Sequence, residues 1–334
     1  MSGTVWGVDF ELSDDQVALR AAATDLLLGS GSLAAARRIT DGGGGWDRDL
    51  WSAMVDQGWA AITTPEAEGG LGLGWVEGAV LCEAVGAQLA ATPIVSQLIA
   101  LAALAGTGWV PGLLDGTQVA AVTRSLDTPV PFAPSADVMV ALVDGRVVAF
   151  AGRRPPAESA MDGTRELGWV HLDPSDAATL DVDPELFLDA GAVAYSAELL
   201  GGSQAMLDAS VAYAKERVQF DRPIGSFQAV KHRLADMLVD VEGMRSSVYW
   251  AAWCLSADDP ERSVSASVAK LWCSDASKRV MASALQVHGG IGFTWESNVH
   301  LFLKRAQLDQ LEFGDATFHR DRLAGLLRGS RTPL

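Results

Sequence analysis

Glu216-Arg217-Val218-Gln219-Phe220-Asp221-Arg222-Pro223-Ile224-Gly225-Ser226-Phe227-Gln228 separates two long helical patterns. Arg217 and Arg222 supply fixed cations, and Phe220 supplies a flat apolar face. Gln228 falls in the first turn of the following helix, where its amide can both donate and accept. A cation, an aromatic face and an amide together suit an adenine nucleotide: charge for the pyrophosphate, a ring for stacking, an edge hydrogen bond. The same residues also fit an ordinary helix–loop–helix with a salt-bridged arginine.

Beyond this loop, Phe227, Val230, Leu234, Met237, Val241, Met244 and Val248 recur in steps of three and four, a heptad seam on a long helix. Residues 263–287 and 297–308 read as further helices, and helical pattern begins again near Leu186. A second glycine-bearing segment, Gln286-Val287-His288-Gly289-Gly290-Ile291-Gly292-Phe293-Thr294-Trp295-Glu296, closes one helix before the next. Adjacent glycines let backbone N–H groups approach a phosphate without interference from a Cβ. A helix C-cap and turn uses the same residues.

Toward the N-terminus, Ser13-Asp14-Asp15-Gln16 is a capping box that opens a helix through Leu28. Gly42 to Gly45 form a loop tip. A helix starting near Asp47 turns Leu50, Met54 and Val55 inward and stops at Gly58. Residues 76–105 are helical again, with a break at Pro93. Between them lies a turn rich in proline and glycine. The pattern changes near Thr117. Residues 119–122 form a β-like run, and residues 138–143 and 147–150 flank Asp144-Gly145, a hairpin signal. The order predicts three units: a helical domain over 1–116, a small β domain over 117–183 and a helical bundle over 184–334.

The chain has 334 residues, 49% hydrophobic and 20% charged, enough for a sizeable core. Its net charge of −17 opposes binding to phosphate backbones or anionic lipid, so neither nucleic acid nor membrane is an expected partner. A few placed arginines and backbone N–H groups still allow a phosphate-containing ligand. The three cysteines form no C-x-x-C pair, which fits reduced thiols in a cytoplasmic protein. The histidines lack metal-ligand spacing, and no metal is expected.

Together the two loops resemble the acyl-CoA dehydrogenase family: Arg217-x-x-Phe220 with Gln228 beyond it, then Gln286-x-x-Gly289-Gly290-x-Gly292-Phe293. Gly58-Trp59 followed by Pro65-Glu66-x-x-Gly69-Gly70-Leu71-Gly72 is similar to that family's first-domain turn. The resemblance runs over nearly the whole chain. It implies an α+β, mostly helical fold with a helical N-terminal domain, a middle β domain and a C-terminal four-helix bundle. It implies FAD at a subunit interface, one subunit holding the flavin ring and a neighbour reaching across to the adenosine and pyrophosphate. The residues the neighbour uses match Arg217, Phe220, Gln228, Gln286, Gly289 and Gly290. Asp221 departs, standing where the family usually has glycine.

The other half of the implied site is eroded. The middle domain of the family opens with a Thr-Glu-Pro type of segment, whereas this chain reads Val122-Thr123-Arg124-Ser125-Leu126. The family's catalytic loop, Tyr-Glu-Gly-Thr, aligns with Glu312-Phe313-Gly314-Asp315, which puts Phe313 at the base and Asp315 at a flavin-contacting threonine. Members with the base on the helix before the Arg217-x-x-Phe220 loop carry it near Gly191, where no carboxylate stands. Glu198, Glu312 and Asp315 remain the candidate acids, with Glu198 also readable as a solvent-facing or structural helix residue.

Residues that would serve a neighbour's cofactor are kept, while those that would serve the chain's own flavin are replaced. The resemblance therefore implies the short subunit of an actinobacterial-type α2β2 enzyme. Its expected partners are a full-length acyl-CoA dehydrogenase subunit, an acyl-CoA substrate of steroid or fatty acid type, and an electron-transfer acceptor. A homo-oligomeric dehydrogenase with a relocated base, and a non-catalytic subunit without flavin, are the alternatives.

Overall fold

The computed structural model describes residues 11–329. The N-terminal domain holds α1 (Asp14–Gly29), α2 (Ser32–Asp41), α3 (Arg48–Asp56), α4 (Trp75–Ala87), α5 (Ile94–Ala103) and α6 (Val110–Leu114). The Ser13–Gln16 capping box is formed as the sequence predicts, each side chain bonded to the other's backbone N–H. Asp47 caps α3 through Leu50 N. Helix α2 has no counterpart among the helices expected from sequence. It starts at Gly31, in the left-handed region with no side-chain cap, so the usual start signal is missing.

The middle segment contributes β1 (Ala120–Thr123), β2 (Val130–Pro131), β3 (Val138–Val143), β4 (Arg146–Ala151), β5 (Leu167–Gly168) and β6 (Ala178–Thr179). Its main sheet has the order β1-β3-β4-β6, with β1 parallel to β3 and the other pairs antiparallel. Asp144 and Gly145 both take positive φ, which a tight two-residue hairpin requires and this dipeptide tolerates.

The C-terminal part is α7 (Pro184–Glu216), the short strands β7 (Val218–Gln219) and β8 (Arg222–Pro223), α8 (Gln228–Ser256), α9 (Arg262–His288), α10 (Val299–Asp309) and α11 (Ala316–Gly329). Helix α7 is 33 residues long, about 50 Å at 1.5 Å per residue. The seam on α8 is buried at Met237, Val241, Met244 and Val248, while Phe227, Val230 and Leu234 are half-buried. Helix α11 is another addition to the expected set. Its cap is Asp315, whose carboxylate accepts from Phe318 N at 2.8 Å.

Two glycines join the N-terminal domain to the bundle. A Cβ on Gly86 of α4 would lie 2.0 Å from the Glu198 carbonyl oxygen, and one on Gly201 of α7 would lie 1.8 Å from that of Glu83. The α4 and α7 backbones therefore touch, and only glycine permits that approach. A single large core runs through both domains and takes in one face of the sheet. The other face covers a smaller cluster around Phe132 and Phe150.

Candidate functional site

The antiparallel run of α7, α8 and α9 brings both loops to one end of the bundle. Tyr213, one turn before Arg217, stacks on His288 with ring centroids 4.6 Å apart. Arg233 reaches Ser283 at 3.4 Å, tying the start of α8 to the last turns of α9. Arg217, Phe220, Gln228, Gln286 and Gly290 are exposed there and Gly289 is half-buried. Phe220 is 86% exposed, held in the left-handed region at φ 55° on the β7–β8 turn and edge-on to Phe227.

Among the described residues, the Arg217 side chain has no ion-pair partner, and the Gln228 and Gln286 amides have no hydrogen-bond partner. Arg222 does not pair with Asp221; its guanidinium lies 4.0 Å from the Phe227 ring centroid. Gly289 has φ +61° and ψ −140°, a combination L side chains rarely adopt. A Cβ on Gly289 or Gly290 would meet nothing within 4 Å, so open space lies beside this bare backbone. An unpaired cation, free amides, a presented aromatic ring and an open glycine turn fit the pyrophosphate and adenosine end of a dinucleotide.

The interior is different. Phe313 is buried, at φ 54°, between Phe187 (centroid distance 5.2 Å) and Tyr195 (5.9 Å). A Cβ on Gly191 would lie 2.0 Å from Cδ1 of Phe313. Two positions far apart in sequence thus occupy one place, and an aromatic ring fills it. Lys270 is fully buried beneath this loop and donates to the carbonyls of Gln310 and Gly314, each at 2.9 Å. Burial pushes its ammonium down to about 8. His319 meets the Phe313 carbonyl at 2.9 Å, and burial pushes its ring down to about 3. At the opening of the middle domain, the Arg124 guanidinium lies 4.5 Å from the Phe318 ring centroid.

The three candidate acids have separate roles. Asp315 caps α11. Glu198 is 1% exposed and bound by two guanidiniums, Arg165 and Arg305, the latter at 2.7 Å. It is a structural partner and does not face solvent. Glu312 is half-buried, and burial pushes its carboxyl up to about 7 against the pull of Arg165, Lys270 and Arg124.

The ionic network around Glu198 is not foreseen in the sequence. Arg305 also holds Asp162 at 2.6 Å, and Arg165 lies 3.4 Å from Asp309. Burial favours the neutral form of Asp162, but Arg305 and a Thr164 hydrogen bond outweigh it and hold the carboxyl below its ordinary value. Burial pushes Asp309 well above the ordinary range in spite of Arg165. Two guanidiniums thus face Glu198 and Asp162, with Asp309 beside Arg165. The network joins residues 162–165 of the middle segment to α7 and α10. One signal was readable: Leu301, Phe302, Arg305, Ala306 and Asp309 form one buried helix face, so Arg305 and Asp309 are charges on an apolar stripe.

Residues 13–108 match the acyl-CoA dehydrogenase N-terminal domain and residues 185–327 match the acyl-CoA dehydrogenase C-terminal domain. Acyl-CoA dehydrogenase IpdE2 of Mycolicibacterium smegmatis is 35% identical over 302 residues, covering 88% of this chain and 93% of the relative. The chain belongs to the acyl-CoA dehydrogenase family. It is thereby an oxidoreductase of that class, with FAD as its cofactor. Among solved structures, the ChsE4–ChsE5 complex from Mycobacterium tuberculosis is similar with a TM-score of 0.86 and 27% identity, covering 98% of this chain and 100% of that one. A structure described as the Tcur3481–Tcur3483 steroid ACAD G363A variant has a TM-score of 0.85 at 24% identity, covering 95% and 98%, which bears on fold. The acyl-CoA dehydrogenase fold is mostly α with a small sheet region, as the sequence predicted. Among the described residues, no helix is long and apolar enough to cross a membrane.

Proposed function

We propose that this chain is the short, FAD-contacting subunit of a heteromeric acyl-CoA dehydrogenase whose full-length partner supplies the base and the flavin-ring contacts. The contact between Phe313 and Gly191 carries this reading. At both positions where the family places its base stands a group that cannot take a proton, and each closes the space of the other. A positioned general base contributes about 10²–10⁴-fold, so a chain without one is a poor catalyst alone. Arg217 and the Gly289-Gly290 backbone hold pyrophosphate, Phe220 lies against the adenosine end, and Gln228 and Gln286 hydrogen-bond it. When bound, FAD supplies the hydride acceptor for α,β-dehydrogenation. The similar ChsE4–ChsE5 structure is a complex, which supports a partner subunit. The description of the Tcur3481–Tcur3483 structure as a steroid ACAD supports a steroid CoA thioester as substrate.

Flavin content and mass of the chain alone, and of the chain purified with its full-length partner, test the proposal. About one FAD per pair in the complex and none on the isolated chain is the expected result. Arg217→Ala in the complex should lower flavin content. A yellow isolated oligomer with one FAD per chain, or a complex that keeps its flavin in Arg217→Ala, would sink it.

One observation favours a second reading. Glu312, with its carboxyl lifted to about 7, has the affinity of a general base poised near neutrality. If the isolated chain turns over acyl-CoA and Glu312→Gln abolishes turnover while FAD is retained, Glu312 is a relocated base.

A further inference from the structure

The cofactor-facing turn at Gly289 continues into an exposed loop. Residues Gly289–Phe293 form a single 3-10 segment, and Ile291, Phe293 and Trp295 all present large apolar surface to solvent. Its own bonds are short-range: Thr294 N–H and Oγ1 donate to the Ile291 carbonyl and Ser297 N–H to that of Thr294, while Gly292 is buried beside Leu285. It is also held from outside the bundle. Arg37, on α2 of the N-terminal domain, donates through Nη1 to the Trp295 carbonyl and through Nε and Nη2 to Oδ1 of Asn298, the Nε bond being 3.2 Å long. Asn298 is the N-cap of α10, yet its side chain caps no backbone N–H of that helix. Its amide oxygen is used for Arg37. The guanidinium therefore grips both the end of the loop and the start of the next helix. Trp295 is further pinned by His300 (4.7 Å, edge-on) and by Lys304 (4.9 Å to its centroid).

We infer that Arg37 is a positioning residue for the FAD contact: it fixes the 289–298 loop, and through it the Gly289-Gly290 backbone, from the N-terminal domain. The inference rests on the proposed reading above, in which this chain reaches across to its partner's cofactor. Arg37 itself touches no cofactor. It sets the geometry of backbone N–H groups that must converge on a phosphate, and hydrogen bonds from a fixed planar guanidinium do this better than a point charge. The N-terminal domain thus takes part in cofactor binding. A planar fork onto two acceptors also explains why arginine suits this place better than lysine.

The test uses the complex with the full-length partner and reads FAD affinity by fluorescence titration of the stripped complex. Its companion is thermal unfolding of the same flavin-free complex. Arg37→Met should weaken FAD by about tenfold, in line with the loss of charge-assisted hydrogen bonds, and Arg37→Lys should fall between. Asn298→Ala removes the shared acceptor without touching charge, and the double variant should be little worse than Arg37→Met alone. If Arg37→Met does not assemble, Asn298→Ala alone must still weaken FAD. Unchanged FAD affinity in Arg37→Met with a lowered unfolding temperature shows a purely structural bond and overturns the inference. So do effects of Arg37→Met and Asn298→Ala that simply multiply. Arg217→Ala is the reference. If it loosens FAD while Arg37→Met does not, only this inference falls; if it too leaves FAD unchanged, the proposed reach across the interface falls with it.

Discussion

Replacing Gly191 by alanine separates a filled site from an open one by the sign of the effect. Gly191 lies inside α7, where alanine is favoured over glycine by about 1 kcal/mol through backbone entropy alone. Were the space beside it an open catalytic cavity, Gly191→Ala would stabilise the protein by about that amount. The added methyl instead meets Phe313 at 2.0 Å from Cδ1 and 2.2 Å from Cγ, where carbon atoms prefer about 3.5–4.0 Å. The ring is wedged between Phe187 and Tyr195 and has little room to retreat. Overpacking of this kind costs ~3 kcal/mol or more at the upper end of its usual range. The net expectation is destabilisation by about 2 kcal/mol, the overpacking less the propensity gain. Thermal and urea unfolding of the purified protein give the sign directly. Phe313→Ala should itself cost about 3–5 kcal/mol by leaving a cavity. In that background Gly191→Ala should become neutral or stabilising, because the methyl enters the vacated space. A stabilised Gly191→Ala, or strict additivity in the double variant, would refute the claim that Phe313 fills the place of the base.

The remaining expectations concern the ionic network, the exposed loop and pH. Glu198→Gln leaves Arg165 and Arg305 short of negative charge in the interior and should cost about 3–5 kcal/mol. Asp309 lies 3.4 Å from Arg165, so adding Asp309→Asn removes a second acidic partner and should deepen the loss in the same unfolding assay. Phe220→Ala should leave the stability of the isolated chain within about 0.5 kcal/mol, since the ring is on the surface, yet lower FAD retention in the complex several-fold. A matching loss of stability would show that the ring serves the fold. Glu312 has a folded value of about 7, raised from 4.5. Its protonated form is favoured in the native state, so its contribution is complete below about 4.5 and is lost as pH rises through about 7. Wild type should therefore lose stability relative to Glu312→Gln across that window. Parallel pH profiles for the two proteins would count against the burial of this carboxyl.

Much of the fold is legible in the sequence because its signals are local. The Ser13–Gln16 box, the Asp144-Gly145 hairpin and the break at Pro93 each depend on residues a few positions apart, and each is present in the structure. Helices that escape such reading, α2, α6 and α11, have weak or ambiguous beginnings: Gly31 and Trp109 offer no side-chain cap, and Asp315 stands in sequence where the family has a flavin-contacting threonine. The half-buried start of the α8 seam shows the same limit, since periodicity gives a helix its apolar face but does not say how far a neighbour covers it.

The sequence by itself determined the family, the order of helical, β and helical segments, and the set of residues that present a cation, amides, a ring and bare backbone in two loops. Chemistry of that kind is written in consecutive residues, because a loop brings its own side chains together. Tertiary structure alone decided what happens inside. It put Gly191 against Phe313, placed Glu198 between Arg165 and Arg305, and set Arg37 on the loop that follows Gly289-Gly290. These partners are separated by tens to hundreds of positions. Burial turns a helix carboxylate from a candidate base into the centre of an ion network, and no local pattern records which distant charge arrives to meet it.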